Sequence, residues 1–239
     1  MTTLEPQEHT QRGLDLAWAT LGSPGSWFDG AERVALAAEV RASRGCALCA
    51  ERRAALSPSA VPGEHAGSGA LGAAAIDAVH RISTDPGRLS QRWYGEALES
   101  GLSPEQVVEL TGVVGVVTIA DTLAIALGGP LRALPAPLAG EPSRVRMPGA
   151  EVAGGWVPMV HPDRAEGPVK DMYEMVRGAA GFVFNVARAL TAVPQALTGF
   201  FMAFAPNYNT HGAVPEGGLS RPQVELLAAS TSALNDCFY

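Results

Sequence analysis

The stretch Asp29-Gly-Ala-Glu-Arg-Val-Ala-Leu-Ala-Ala-Glu-Val-Arg-Ala-Ser-Arg-Gly-Cys-Ala-Leu-Cys49 joins a helix start, a helical segment and two cysteines in C-x-x-C spacing. Asp29 and Glu32 predict a capping box, in which the first side chain accepts from a free amide of the first turn and the second reaches back to the cap. We expect this helix to bend or end at Gly45, and a further helical segment to carry Cys49. The stretch therefore predicts a helix that leads directly into a pair of thiols.

Two later stretches repeat this helix start. Gly101-Leu-Ser-Pro-Glu-Gln-Val107 and Gly218-Leu-Ser-Arg-Pro-Gln-Val224 are identical at five of seven positions. In each, the serine is the predicted cap, and the glutamine three residues later completes the box. Pro104 falls in the first turn, where its missing amide costs little. Three helices with the same kind of start are therefore expected.

Cysteines accompany two of the three helix starts. Cys46 follows Asp29, and Cys237 follows Ser220, at the same distance of 17 residues. Ala120 occupies the corresponding position after the middle start. Because the helix recurs without its thiol, we interpret the repeated element as architectural first.

The composition predicts an all-α protein. Hydrophobic residues make up 47% of the chain and charged residues 17%, which is typical of a globular protein. No long run alternates apolar and polar residues as a half-buried strand would, and glycine and proline fall largely between the candidate helices. We predict a helical bundle of two related halves, residues 1–129 and 156–239, joined by a proline-rich connection over 130–155.

The charge and the N-terminus bear on partners and location. A net charge of −7 argues against nucleic acid or an anionic membrane as the main partner. The first residues lack the basic start and the apolar stretch of a signal peptide, and the longest apolar run, 113–127, is interrupted by polar residues. We therefore expect a cytoplasmic protein with no membrane partner, in a compartment where thiols stay reduced.

Cys46 and Cys49 are the first candidates for chemistry. A thiolate is the working nucleophile, and a nearby cation lowers the pKa of a thiol. Arg44, Arg52 and Arg53 are close enough in sequence to supply that cation. The alternative interpretation is a pair of buried packing cysteines, since a C-x-x-C alone is weak information.

The sequence predicts neither a metal nor a cofactor. A zinc site would need two ligands besides the cysteines. His65 and His80 are the nearby histidines, but their spacing is not that of a familiar ligand pair, and His80 is expected on a half-polar helix face.

Glu225 lies on the same predicted helix as Cys237, about three turns away, so the two cannot touch on a straight helix. A solvated glutamate that favours the helix dipole is the alternative for Glu225.

Several stretches resemble the AhpD-like/carboxymuconolactone decarboxylase family. The similarity covers most of residues 156–239, through the stretch 219–239 and the segment Gly181-Phe-Val-Phe-Asn-Val-Ala-Arg-Ala-Leu-Thr-Ala-Val-Pro194. The first half resembles the family more loosely, through Arg44–Cys49 and Leu102–Gly128. The resemblance implies a helical, peroxidase-related protein whose site has a glutamate, a C-x-x-C and a histidine four residues after the second cysteine.

The second half matches this motif only in part. Glu225 and Cys237 take the positions of the family's glutamate and first cysteine. The chain ends at Tyr239, before the positions of the second cysteine and the histidine. We therefore expect a motif cut off before its end, with Glu225 and Cys237 as candidate catalytic residues.

The first half has the complete dithiol without the rest of the motif. Cys46 and Cys49 match, but Arg53 stands at the histidine position and Val34 at the glutamate position. Glu32 or Glu39 is a candidate substitute for the glutamate, although neither has the family's offset. An arginine stabilises a thiolate but does not shuttle protons at neutral pH.

The function expected from the resemblance is thiol-dependent peroxide reduction. By analogy with the family, Cys49 attacks the peroxide and Cys46 resolves the product. The expected partners are a peroxide, a thiol reductant and further copies of the chain in a homo-oligomer. Two alternatives remain open: a non-catalytic relative kept for assembly, and a cysteine-independent decarboxylase or lactone-acting enzyme with a pocket of histidine and arginine side chains.

Overall fold

A computed structural model describes residues 5–67, 69–208 and 218–235, and its regular structure is almost entirely helical. The predicted all-α class is thus confirmed. The helices of the described residues are α1 (Glu8–Thr20), α2 (Gly30–Ser43), α3 (Ala47–Ala54), α4 (Ala73–Thr84), α5 (Gln91–Glu99), α6 (Pro104–Ala126), α7 (Gly167–Ala180), α8 (Asn185–Ala189), α9 (Pro194–Tyr208) and α10 (Arg221–Leu234). A small antiparallel hairpin pairs β1 (Ala150–Val152) with β2 (Pro158–Val160), with Glu151 opposite Met159.

The predicted capping boxes start α2 and α6. The Asp29 Oδ1 atom accepts from the Glu32 amide at 2.8 Å, and the Asp29 amide donates to Glu32 Oε2 at 2.9 Å. Ser103 and Gln106 make the same reciprocal pair at the start of α6. At α10 the Gln223 side chain accepts from the Ser220 amide at 2.8 Å. The three helix starts thus form as their sequences predict.

Helix α6 is the centre of the bundle. It packs against α2, α4 and α9, and α1 packs against both α6 and α9. Its length and composition would allow it to cross a membrane, but 56% of its most apolar window is buried within the protein, as in the core helix of a globular fold. Gly112 on α6 lets α9 come close, since a Cβ atom there would lie 2.6 Å from the Ala196 Cβ.

The proline-rich segment lies along the first helices. Residues 130–147 form neither helix nor strand. The Leu138 amide donates to the Gly22 carbonyl at 2.7 Å, and the Trp18 Nε1–H donates to the Ala133 carbonyl at 2.8 Å. After this segment the chain returns to the bundle, where α9 packs on α1 and α6, so residues from both predicted halves share one packed region.

Two buried carboxylates of α6 fix the position of α2. Glu109 is fully buried, with its Oε1 atom 2.6 Å from Arg33 Nη1 and its Oε2 atom accepting from the Trp27 amide at 2.7 Å. Asp121 is also buried, and it pairs with Arg41 at 2.8 Å and with Arg44 at 2.9 Å. Buried charges need such partners, because an unpaired one carries its full desolvation cost. The C-terminal end of α2, from which the dithiol follows, is thereby held against the core.

Candidate functional site: a dithiol between two imidazoles

The two cysteines of the C-x-x-C lie at the start of α3. Helix α2 ends at Ser43, and the turn through Arg44 and Gly45 makes Cys46 the residue before α3, with its carbonyl accepting from the Ala50 amide at 3.1 Å. Cys49 follows in the first turn of α3. Both are free thiols; Cys46 is half-buried, and Cys49 is 5% exposed. The predicted break near Gly45 is confirmed, and it places both thiols at a helix N-terminus.

Two histidines from separate elements meet at these thiols. His65 comes from the irregular segment before α4, and its Nδ1 atom lies 3.4 Å from Cys46 Sγ and 3.8 Å from Cys49 Sγ. His80 comes from α4, and its Nδ1 atom lies 3.2 Å from Cys49 Sγ. The spacing in sequence does not indicate this arrangement, because the tertiary fold is what brings both histidines to the dithiol. His80 is only 1% exposed, so the face of α4 on which it lies is buried.

A carboxylate lies behind each imidazole. His65 Nε2 is 3.2 Å from Asp77 Oδ1, and His80 Nε2 is 3.2 Å from Glu39 Oε2. A carboxylate at one ring nitrogen fixes the orientation of the ring and turns the other nitrogen toward its target. Two sets of three groups result, which we call the Cys46 chain (Cys46, His65, Asp77) and the Cys49 chain (Cys49, His80, Glu39).

Arg52 holds the Cys46 chain in place. Its Nη1 atom donates to Asp77 Oδ1 at 2.7 Å, and its other nitrogens donate to the carbonyls of Val61 and Gly63 at 3.3 Å each. These bonds tie the segment that carries His65 to α3. Arg52 therefore acts through Asp77, through the loop and directly at His65, whose Nε2 atom lies 3.1 Å from Arg52 Nη1, in addition to the effect on the thiols expected from sequence.

The two chains differ in electrostatics. Burial by itself would raise the pKa of Cys46, but the hydrogen bonds with His65 and with the Cys49 amide outweigh it, so this pKa is lowered. Burial raises the pKa of Cys49 to about 11. Burial also lowers the pKa of His80, whereas the bonds to Asp77 and Cys46 overcome burial and raise the pKa of His65. The Cys46 chain thus favours a thiolate beside an imidazolium, and the Cys49 chain favours a neutral thiol beside a neutral imidazole.

Asp77 is the fixed negative charge of the site. Burial opposes its ionisation, but hydrogen bonds from His65 and Arg52 lower the pKa of Asp77 to about 2. It therefore stays ionised at neutral and at mildly acidic pH. A permanent carboxylate at Nε2 favours a positive charge on the His65 ring.

A mainly apolar cavity of about 740 Å³ opens beside the dithiol. Both cysteines line it, together with apolar side chains from α4, α6, α8 and α9 that include Ile82, Val114 and Phe200. Arg53, the residue at the family's histidine position, also lines this cavity. Among the described residues, no hydrogen bond joins Arg53 to either thiol. The cavity can receive a small molecule with an apolar body next to the sulfurs.

Glu225 lies apart from this dithiol. On α10 its carboxylate accepts from the Tyr208 hydroxyl at 2.8 Å and forms an ion pair with Arg221. It lines a separate groove bounded by α1, α7 and α9 rather than the cavity at the thiols. Cys237 lies outside the described residues. The structure therefore brings Cys46 and Cys49 together and places Glu225 elsewhere.

The two sequence candidates for a substitute glutamate have different places. Glu39 is buried behind His80, where it completes the Cys49 chain. The Glu32 side chain accepts from the Asp29 amide in the first capping box.

No family model matches the chain, and neither a curated protein nor a solved structure was found to be similar to it. Its function is therefore argued from this site.

Proposed function

We propose that the protein reduces peroxides with the Cys46–Cys49 dithiol, as an AhpD-like thiol peroxidase. The observation that carries the proposal is the pair of chains, in which each sulfur meets an imidazole backed by a carboxylate. A dithiol peroxidase must deliver a proton to each of two leaving oxygens, and an imidazole is the side chain suited to that transfer near neutral pH.

The first step forms a sulfenic acid. The Cys46 sulfur attacks the terminal oxygen of ROOH, the S–O bond forms and the O–O bond breaks. The departing RO⁻ takes a proton from His65 and leaves as ROH. Cys46 is assigned the attack because it is the more exposed thiol and precedes the first turn of α3, whose free amides favour a negative sulfur. This order is the reverse of the one expected by analogy with the family.

The second step closes a disulfide. The Cys49 thiol passes its proton to His80, and its sulfur attacks the Cys46 sulfur. The S–S bond forms, the S–O bond breaks, and the departing hydroxide takes the proton now held by His80 and leaves as water. A dithiol reductant then restores both thiols by exchange, with its own two sulfurs oxidised. The sum is ROOH and the two thiols giving the disulfide, ROH and water, so the dithiol supplies two electrons and two protons.

The cavity favours an organic hydroperoxide over hydrogen peroxide. Its walls at Ile82, Val114 and Phe200 offer apolar contact for an R group, and the sulfurs lie at its edge. Burial of an apolar group is worth about 25 cal/mol per Å², so a bulky R group strengthens binding. We propose a small apolar hydroperoxide as substrate.

The experiment follows the consumption of cumene hydroperoxide by the reduced protein in a stopped-flow instrument, with a chelator present. The intact mass of the protein is then measured to count the disulfides formed. We expect one disulfide per turnover and loss of turnover in the Cys46→Ser/Cys49→Ser double variant. A dimedone adduct on Cys46 in the Cys49→Ser variant would support the assigned order. The matched control is His161→Ala, an exposed histidine outside the site.

Other outcomes would overturn the proposal in distinct ways. If both thiols remain free after peroxide treatment, the chain is a non-catalytic member with an assembly role. If the double variant retains full turnover of a lactone or a decarboxylation substrate, the chemistry is independent of cysteine.

The exposed apolar groove at α1, α7 and α9 supports the proposal of a homo-oligomer, which light scattering tests.

A further inference from the structure

We propose that Cys46, Cys49, His65 and His80 form a tetrahedral Zn²⁺ site in the reduced protein. This inference goes beyond peroxide reduction, and it holds whether or not the dithiol turns over. It differs from the expectation from sequence, which assigned the chain no metal site.

The first argument is the convergence of four donor atoms. The two Sγ atoms and one nitrogen from each histidine all lie within 4.8 Å of one another. Zn²⁺ binds thiolate sulfur at about 2.3 Å and imidazole nitrogen at about 2.0–2.1 Å, so a regular tetrahedron has sulfur–nitrogen edges of about 3.5 Å. Three of the four sulfur–nitrogen distances are 3.2, 3.4 and 3.8 Å, close to those edges, and the fourth, from Cys46 to His80, is no more than 4.8 Å.

The second argument is the position of His65. A proton relay needs one imidazole for one sulfur, yet the His65 Nδ1 atom lies within 3.8 Å of both sulfurs. The His65 and His80 ring centroids are only 4.1 Å apart. Two imidazoles and two thiols that share one centre match the set of donors around Zn²⁺.

The third argument is the support behind the histidines. Both rings turn Nδ1 toward the centre and hold Nε2 at 3.2 Å from a carboxylate, Asp77 for His65 and Glu39 for His80. Metal-binding histidines are usually oriented by a carboxylate in this way. Two thiolates neutralise the charge of the ion.

The fourth argument is selectivity and enclosure. Cys49, His65 and His80 are nearly fully buried, as the ligands of a closed tetrahedral site are. Thiolate and imidazole together favour Zn²⁺ over Mg²⁺, Ca²⁺ and Mn²⁺, which prefer oxygen. The ion would join three separate pieces of chain: the start of α3, the segment that carries His65, and α4.

Zinc and the disulfide exclude each other at this site. A disulfide sulfur is no longer a thiolate, so oxidation of the two cysteines removes half of the ligands. A peroxide that takes two electrons from the bound thiolates and two protons from solvent therefore forms the disulfide, ROH and water, and releases Zn²⁺. The bound ion, in turn, protects the thiols from slow oxidation.

The experiment uses the reduced, chelator-stripped full chain titrated with Zn²⁺ against a chromophoric chelator, with Co²⁺ as the spectroscopic probe. We expect one ion per chain, the strong visible bands of tetrahedral Co²⁺ and a thiolate-to-cobalt charge-transfer band. His80→Ala and Cys46→Ser should each weaken Zn²⁺ binding at least about 100-fold, and Asp77→Asn about 10–100-fold. His161→Ala is the matched control, and circular dichroism checks that each variant is folded.

The result that would overturn the inference is weak binding, or binding that the ligand substitutions leave unchanged. A Co²⁺ spectrum with pale octahedral bands and no charge transfer would overturn it as well. Peroxide turnover is measured separately with chelator present. Failure of zinc binding with intact turnover rejects the zinc site alone, and zinc binding without turnover rejects the peroxidase alone.

Discussion

The Nε2 atom of His80 lies 3.2 Å from Glu39 Oε2, while Nδ1 of the same ring lies 3.2 Å from Cys49 Sγ. The ring thus joins a buried carboxylate to a buried thiol. Asp77, His65 and Cys46 repeat the arrangement beside it. Because the nearest imidazole is His65 for Cys46 and His80 for Cys49, the two steps of the proposed reaction can be separated by substitution.

Replacement of Glu39 by Gln should slow the second step. The substitution keeps the shape of the side chain but removes the charge that orients His80, so the transfer of the Cys49 proton is impaired. We expect disulfide closure to slow about 10–100-fold while the first attack on peroxide is little changed. Rapid-quench mass spectrometry, with a chelator present, should then show that Cys46 sulfenic acid accumulates. Equal slowing of both steps would contradict the separate roles of His65 and His80.

Replacement of Asp77 by Asn should slow the first step instead. Asn removes the fixed negative charge that favours protonated His65, so both the Cys46 thiolate and the proton donor for RO⁻ are depleted. We expect the rate of peroxide attack to fall about 10–100-fold with no build-up of sulfenic acid. Comparison with Glu39→Gln under the same conditions is the control, since both variants lose one carboxylate from the same cluster.

The alkylation of the two thiols should respond differently to pH. Only the thiolate reacts with iodoacetamide, so a lowered pKa moves reactivity to lower pH and a raised pKa moves it to higher pH. Cys46 should therefore be modified in metal-free protein at a lower pH than an ordinary cysteine, and modification of Cys49 should keep rising toward pH 11. Peptide mapping measures both rates in one sample, and identical pH profiles would contradict the expectation.

The ion pair between Arg33 and Glu109 should be essential to the fold. Glu109→Gln leaves the Arg33 guanidinium buried without its charge partner, which we expect to lower the free energy of unfolding by about 3–5 kcal/mol. The control is Glu8→Gln, which breaks the exposed Arg12–Glu8 pair and should cost less than about 1 kcal/mol. Urea denaturation followed by circular dichroism measures both; a small effect at Glu109 would mean that α2 is held chiefly by apolar packing.

A methyl group should have opposite effects at two helical glycines. In Gly112→Ala the new Cβ meets Ala196 of α9 at 2.6 Å, so we expect destabilisation by about 1–3 kcal/mol. Gly95 on α5 has open space around its Cα, and Gly95→Ala should stabilise the protein by about 0.5–1 kcal/mol. Thermal unfolding of the pair tests the packing of α6 on α9, and equal shifts in both variants would contradict it.

The helices and their starts could be predicted from sequence because their signals are local. Asp29 with Glu32, and Ser103 with Gln106, each lie within one turn and need no tertiary partner to be recognised. The break at Gly45 is local as well. The burial of Glu109 and Asp121 on α6 could not be predicted, since their arginine partners lie on α2.

The site could be predicted only where its residues are neighbours in sequence. Cys46 and Cys49 are visible as a motif, and Glu39 was a candidate without a known partner. His65 was missed because its segment has no periodicity, and its position depends on bonds from Arg52. His80 gave one usable signal: it lies four residues after Ile76, on a face of α4 that is buried. Only tertiary packing turns that face toward the dithiol.

The packing of α9 has a consequence for synthesis. The Thr10 hydroxyl donates to the Pro206 carbonyl at 3.2 Å, across nearly the whole described length of the chain, and Phe200 of α9 forms part of the cavity wall. On the ribosome, the thiols emerge long before that wall does. A nascent chain therefore carries its dithiol uncovered for most of translation, at roughly 5–20 residues added per second. A Zn²⁺ ion bound early by the cysteines and histidines would protect the thiols from oxidation during those seconds, before the last helices pack over the cavity.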